Sequence, residues 1–175
     1  MQMNVLELFN QINTFVFDVD GVLTDGTLLV LPQGVMARRM NIKDGYALQL
    51  AIKKGYNVVI ISGGTSDEVK ERFGKLGVKD VFMKITNKAE TLTQYMQSQQ
   101  LRKEQVLFMG DDIPDFEVMQ LVGLACCPAD AATEIKSISQ YISHVKGGDG
   151  CARDVIEKVM RLQNNWNEDV TVRSQ

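Results

Sequence analysis

Phe15-Val16-Phe17-Asp18-Val19-Asp20-Gly21-Val22-Leu23-Thr24-Asp25-Gly26 begins as an apolar run and turns abruptly acidic. A short apolar run closed by glycine reads as a buried parallel strand. Asp18 and Asp20 stand where the run ends, with Gly21 directly behind them. In open α/β sheets, ligands bind just beyond the carboxyl ends of the strands. Two acids at such a point repel each other unless a positive charge lies between them. A divalent cation with oxygen ligands, of the kind Mg²⁺ takes, meets that requirement.

The pattern recurs downstream. Residues 57–61 read as a second apolar strand, running into Ser62-Gly63-Gly64-Thr65-Ser66. There a serine hydroxyl and the following N–H groups can cradle an oxyanion. Residues 106–109 run into Gly110-Asp111-Asp112-Ile113-Pro114-Asp115, with Pro114 suited to the first turn of a helix. Shorter strands are expected at 81–83, 124–127 and 141–142. Helical patterns lie between them. One begins at Asp44, read as its N-cap, with Lys43 just before it, and closes at Gly55. Arg72 and Lys75 lie one turn apart on the next, either as solvated charges or as substrate contacts. Lys88 opens a third, and the last covers 151–162. This alternation predicts a doubly wound, Rossmann-like parallel α/β sheet. It is expected as one domain over 1–175, with its core at about 14–162 and a polar, mobile tail from 164.

Residues 27–31 and 35–40 flank Pro32-Gln33-Gly34 and read as a β-hairpin. It is apolar for so short an element. It suits a lid or a surface for another subunit, or an ordinary hairpin packed on its own core. Lys146-Gly147-Gly148-Asp149-Gly150 reads as a flexible loop and a second candidate contact.

Composition narrows the function classes. With 45% hydrophobic residues, the 175-residue chain is long and apolar enough to bury a core. A net charge of -3 and a pI near 5.2 argue against a nucleic-acid surface, but not against a small anionic substrate. Three cysteines, two of them adjacent, make no disulfide framework and fit a reducing cytoplasm. The single histidine, His144, offers no convincing partner base for a catalytic thiol. No apolar run is of membrane-spanning length, and no signal-peptide pattern opens the chain. Residues 1–13 read as an amphipathic lead-in.

The stretch from Asp18 to Gly26 resembles the first motif of the haloacid dehalogenase-like phosphatases. Ser62, Lys88 and Gly110-Asp111-Asp112 follow the order of their other motifs. The resemblance implies that Asp18 is a nucleophile forming an aspartyl-phosphate, and that Asp20 protonates the leaving alcohol and then activates water. It implies Mg²⁺ held by Asp18, the Asp20 carbonyl and Asp111, with Asp112 and Asp115 supporting the metal and orienting Lys88. Ser62 and Lys88 would bind the phosphoryl group. Lys43, Asp44, Gly63 and Gly64 join Asp20 as substrate contacts, with Arg72 and Lys75 as further candidates.

Only a hairpin fits between residues 26 and 41, and only one helix and a strand between 65 and 87, so no cap domain is expected. An uncapped site is open to water unless another subunit covers it. A homo-oligomer, a tetramer by resemblance, is therefore expected. Short capless members with this hairpin act on acidic sugar phosphates of lipopolysaccharide sugar synthesis. An eight-carbon sugar acid phosphate is the implied substrate, with a nine-carbon one as the alternative. A catalytically silent oligomerisation module and a phosphotransferase are the competing classes. Two positions depart from many relatives: Gly64 stands where they have Arg, and Ala47 where they have Gly. The missing Arg could have recognised a substrate carboxylate. Arg72, Lys75 or a neighbour's Arg173 are its candidate replacements.

Overall fold

A computed structural model describes residues 4–173. Six parallel strands form one sheet: β1 (Thr14–Phe17), β4 (Asn57–Ile61), β5 (Asp80–Phe82), β6 (Val106–Met109), β7 (Leu124–Cys127) and β8 (Tyr141–Ile142). Their spatial order is β5-β4-β1-β6-β7-β8. The chain proceeds from β1 outward to β4 and β5, then crosses back to β6 and proceeds outward the other way. The switch point lies between β1 and β6, where Phe17 pairs with Met109 and the Asp18 N–H donates to the Met109 carbonyl at 3.1 Å. That is where an open α/β sheet leaves a crevice. The residues just beyond it are Asp18 and Asp111.

Both faces of the sheet are covered, which is why β1 and β6 are buried along their whole length. Phe15 and Phe17 face a core built with α2 (Ile42–Lys53), α3 (Asp67–Lys75) and α7 (Cys151–Leu162), and with α1 (Val5–Phe9) at its edge. Val16, Val59 and Ile61 face the opposite core, with α4 (Lys88–Ser98), α5 (Phe116–Met119) and α6 (Thr133–Ile138). Strand alternation alone divides the side chains between the two layers.

Between β1 and α2 there is only the expected hairpin, β2 (Leu29–Val30) and β3 (Met36–Ala37), paired antiparallel around a tight turn at Pro32–Gly34. No cap domain is present among the described residues. The hairpin does not pack on its own core: Leu29 is 63% exposed and Val30 69%.

Three expectations need correction. Asp44 is not the N-cap of α2. Asn41 is, its side chain accepting from the Lys43 N–H at 2.8 Å, and Asp44 lies inside the first turn. Both residue types cap helices, and the one earlier in the chain does so here. Residues 146–150 do not form a loose loop. The Gly148 N–H donates to the Val22 carbonyl at 2.9 Å, and the Gly147 N–H to Asp130 Oδ1 at 2.9 Å. The polar tail is docked as far as it is described, since Trp166 sits edge-on to Tyr46 and Lys53 pairs with Asp169 at 2.6 Å. Residues 1–3 of the lead-in and 174–175 of the tail lie outside the described residues.

Close approach, rather than flexibility, explains the glycines near the switch point. A methyl group on Gly147 would fall 1.9 Å from the Gly21 carbonyl oxygen. Gly147→Ala is therefore expected to destabilise the protein by about 2 kcal/mol or more through overpacking. Gly74, exposed in α3 with nothing within 4 Å of a built methyl, should behave oppositely. Gly74→Ala is expected to stabilise by about 0.5–1 kcal/mol. Urea unfolding of the two variants checks the contrast.

Candidate active site

The backbone at the switch point positions the acids. Asp18 extends from β1 and is 7% exposed. Gly21 turns the chain with φ +88, and a methyl there would fall 2.0 Å from Asp111 Oδ2. Only glycine lets the Asp111 carboxylate lie against that turn. Pro114 is the second residue of the tight turn that follows, at Ile113–Asp115, and Asp115 closes it. Asp115 is 1% exposed, and its Oδ2 accepts from the Asp111 N–H at 3.1 Å.

Lys88 enters from the far side as the first residue of α4, capped by Asn87. Its ammonium lies 3.0 Å from Asp18 Oδ1 and 2.7 Å from Asp115 Oδ1. Burial by itself would lower its pKa, but the charges and hydrogen bonds of the two carboxylates outweigh that and hold it above the ordinary lysine value. Asp115 thus has both oxygens engaged, one by Lys88 and one by the backbone of Asp111. Its geometry is that of an orienting group.

Asp18, Asp111 and Asp115 each offer an oxygen within 4.8 Å of the others, the only such group of three among the described residues. One ammonium does not balance three carboxylates. Burial, and then the Asp115 charge, push the Asp18 carboxyl up to about 7 despite Lys88. Burial, and then Asp18, Asp115 and Asp112, push Asp111 up to about 7 as well. An all-oxygen donor set that is short of positive charge fits a hard divalent cation such as Mg²⁺.

Asp18, Asp20, Ser62, Gly63, Gly64, Lys88, Asp111, Asp112 and Asp115 all line one cavity of about 400 Å³. Ser62 is buried, and its Oγ accepts from the Gly64 N–H at 3.1 Å, so that N–H is engaged within the loop after β4. The Asp20 carboxylate is not one of the acidic trio.

Other expected contacts lie elsewhere. Asp44 is buried, and its Oδ1 accepts from the Arg153 N–H at 2.7 Å, in the first turn of α7. Burial pushes its carboxyl up to about 6, against the pull of that N–H. It braces two helices and does not line the acid cavity. Lys43 is exposed and outside that lining. Lys75 pairs with Glu71 at 2.6 Å on the solvent side of α3. Arg72 lines a second cavity of about 450 Å³ between the hairpin and α3. The Arg173 carbonyl accepts from the Gln49 side chain of its own chain at 2.5 Å.

One residue escaped the reading of the sequence. Arg38, just past β3, donates from Nε to Asp20 Oδ1 at 2.7 Å and from Nη2 to Asp20 Oδ2 at 3.2 Å. Its side chain is 8% exposed, whereas that of Arg39 is 82% exposed and pairs with Asp25. The available signal was two consecutive arginines ending an apolar hairpin, which strand alternation sends to opposite faces.

Comparison with known proteins agrees with this fold. A family model described as haloacid dehalogenase-like hydrolase matches residues 77–154. The 3-deoxy-D-manno-octulosonate 8-phosphate phosphatase of Salmonella typhi is 30% identical over 94% of this chain and 88% of its own. The crystal structure of the corresponding Yersinia pestis phosphatase superposes with a TM-score of 0.89 at 30% identity, over 92% of this chain and 87% of that one. That of Moraxella catarrhalis, solved with magnesium, phosphate and the sugar acid, superposes with a TM-score of 0.89 at 27% identity, over 94% and 95%. The chain belongs to the haloacid dehalogenase-like hydrolases. Within them it is a phosphoric monoester hydrolase without a cap, similar over nearly its whole length to the octulosonate 8-phosphate phosphatases. No helix among the described residues is long and apolar enough to cross a membrane.

The charge shortage has a measurable sign. Asp18 and Asp111 are raised from 3.8 to about 7, so the folded, metal-free protein binds protons that the unfolded chain has released. Their stabilisation is fully present below about pH 4 and is lost as pH rises through about 7. In chelator, the melting temperature is expected to rise on acidification from pH 7.5 to about 5.5, and saturating Mg²⁺ should flatten that slope. Calorimetry with and without the metal measures both.

Proposed function

We propose that this chain is a Mg²⁺-dependent phosphatase of an acidic sugar phosphate, with 3-deoxy-D-manno-octulosonate 8-phosphate the favoured substrate and a nine-carbon sugar acid 9-phosphate the alternative. It would serve lipopolysaccharide sugar synthesis in the cytoplasm. The observation that carries this reading is the Asp18 carboxylate at the switch point, 3.0 Å from the Lys88 ammonium and grouped with Asp111. Residues 1–175 act as one catalytic domain.

An Asp18 oxygen attacks phosphorus as the bond from phosphorus to the sugar oxygen breaks. Asp20 delivers its proton to that leaving oxygen. Asp20, now a base, takes a proton from water as the water attacks the aspartyl-phosphate. The P–O bond to Asp18 breaks, and the carboxylate and free phosphate are released. Lys88 and the Ser62 loop hold the phosphoryl oxygens throughout, and Asp115 keeps Lys88 aimed at them. Asp18, Asp111 and the Asp20 carbonyl, with Asp112 in support, would hold the cation, which would neutralise the charge of a dianionic ester and an anionic nucleophile. Phosphate monoesters are among the slowest esters to hydrolyse unaided, with enzymes accelerating them by up to ~10²¹-fold. Two displacements with a shared proton carrier divide that barrier.

Asp18→Asn is expected to abolish phosphate release from every ester, including a generic aryl phosphate. Asp20→Asn should lower turnover of sugar phosphates by roughly 10²–10⁴-fold. A wild-type screen of eight-carbon against nine-carbon sugar acid phosphates fixes the substrate. Residual turnover by Asp18→Asn would refute the nucleophile assignment.

The open site and the exposed hairpin support a homo-oligomer, and the resemblance supports four subunits, with a neighbour completing the wall that a cap provides elsewhere. Val35, Met36 and Ile42, exposed at 53%, 52% and 55%, extend the apolar strip formed by Leu29 and Val30. Val30→Asp is expected to shift the protein to monomers in light scattering and to raise KM. Intact oligomers with that substitution would place the interface elsewhere.

A further inference from the structure

We propose that Arg38 is a specificity and positioning residue, whose guanidinium holds Asp20 and at the same time binds the carboxylate of the substrate. This rests on the acidic sugar phosphate reading given above. The carrying observation is the position of Arg38 at the joint between two cavities. It is bound through two nitrogens to Asp20, which lines the acid cavity, and it forms part of the wall of the second cavity beside Arg72.

The two ends of the substrate face different cations. Lys88 is engaged by Asp18 and Asp115, on the side where the phosphoryl group is transferred. Arg38 lies on the other side, carried by the hairpin. A guanidinium has five N–H donors. Two go to Asp20 and one, at 3.3 Å, to the Met36 carbonyl. These bonds leave two donors, which can serve both oxygens of a second carboxylate, the fork geometry in which arginine surpasses lysine. The substrate need not displace Asp20. Arg38 bridges Asp20 and the carboxylate of the substrate, so a bound acid fixes the guanidinium and the guanidinium fixes Asp20.

The room for this arrangement comes from Gly64. A methyl group there would lie 3.1 Å from Asp20 Oδ2, 3.3 Å from Arg38 Nη2 and 3.3 Å from Ser62 Oγ. A longer side chain at position 64 would contest the space that the guanidinium now fills. The bare loop after β4 and the buried arginine of the hairpin therefore form a matched pair. The cation that reads the acid reaches the site from the hairpin, not from that loop.

The test compares two esters under saturating Mg²⁺: 3-deoxy-D-manno-octulosonate 8-phosphate, which carries a carboxylate, and ribose 5-phosphate, which does not. Wild type is expected to prefer the acid. Arg38→Ala should lower kcat/KM for both through the misplaced Asp20, but by roughly 10- to 100-fold more for the acid, with the excess in KM. Arg38→Lys, which keeps the charge without the fork, should recover only part of that excess. Equal losses for the two esters, in an enzyme whose wild type prefers the acid, overturn the role of Arg38 alone: the guanidinium then serves only Asp20 or the phosphoryl group. A wild type that shows no preference for the acid overturns the substrate reading, and this proposal with it.

Discussion

The site depends on repulsion held in check. Asp18, Asp111 and Asp115 are packed within 4.8 Å at the end of two adjacent strands, and a single buried ammonium stands among them. Burying unpaired carboxylates is costly, and they respond by taking up protons unless a cation arrives. Everything else near the switch point serves to keep that unfavourable cluster assembled. Gly21 leaves space for one carboxylate, the Asp111 backbone holds another, and two cores of aromatic and aliphatic side chains fix the strands from which they extend. The stability lies in the layers, and it is used to hold charges where they would not otherwise stay.

Much of this could be read from the sequence because its signals are local. An apolar run followed at once by acids is visible in a window of a dozen residues, and it recurs at the ends of β1 and β6. The order of strands and helices follows from periodicity. What failed depended on contacts between distant segments. Asp44 has the chemistry of a cap, but the real cap lies three residues earlier, and only the approach of α7 explains a buried carboxylate there. The tail looked unattached because it is polar, yet Trp166 finds Tyr46 and two arginines against which to pack. Arg38 gave no sign of its partner, since its bond to Asp20 spans eighteen positions and a hairpin.

The hairpin joins these points. It is too small to enclose a substrate, and its outer surface is apolar where solvent should favour polar groups. Its inner end nevertheless carries a buried arginine against Asp20, whose side chain is part of the acid cavity. A short element thus presents a sticky surface outward and a charged group inward, so that whatever seats the hairpin also sets the position of Asp20.

The close contact of Gly147 with the turn at Gly21 bears on biosynthesis. The first motif emerges from the ribosome before the segment that clamps it, and before the helix α7 that follows. Domains generally fold as units during synthesis. A nascent polypeptide of this sequence therefore carries its acidic strand ends unfastened until Gly147 and α7 have followed them out of the ribosome, and a product that stops short of Gly147 would have a first motif with no backing.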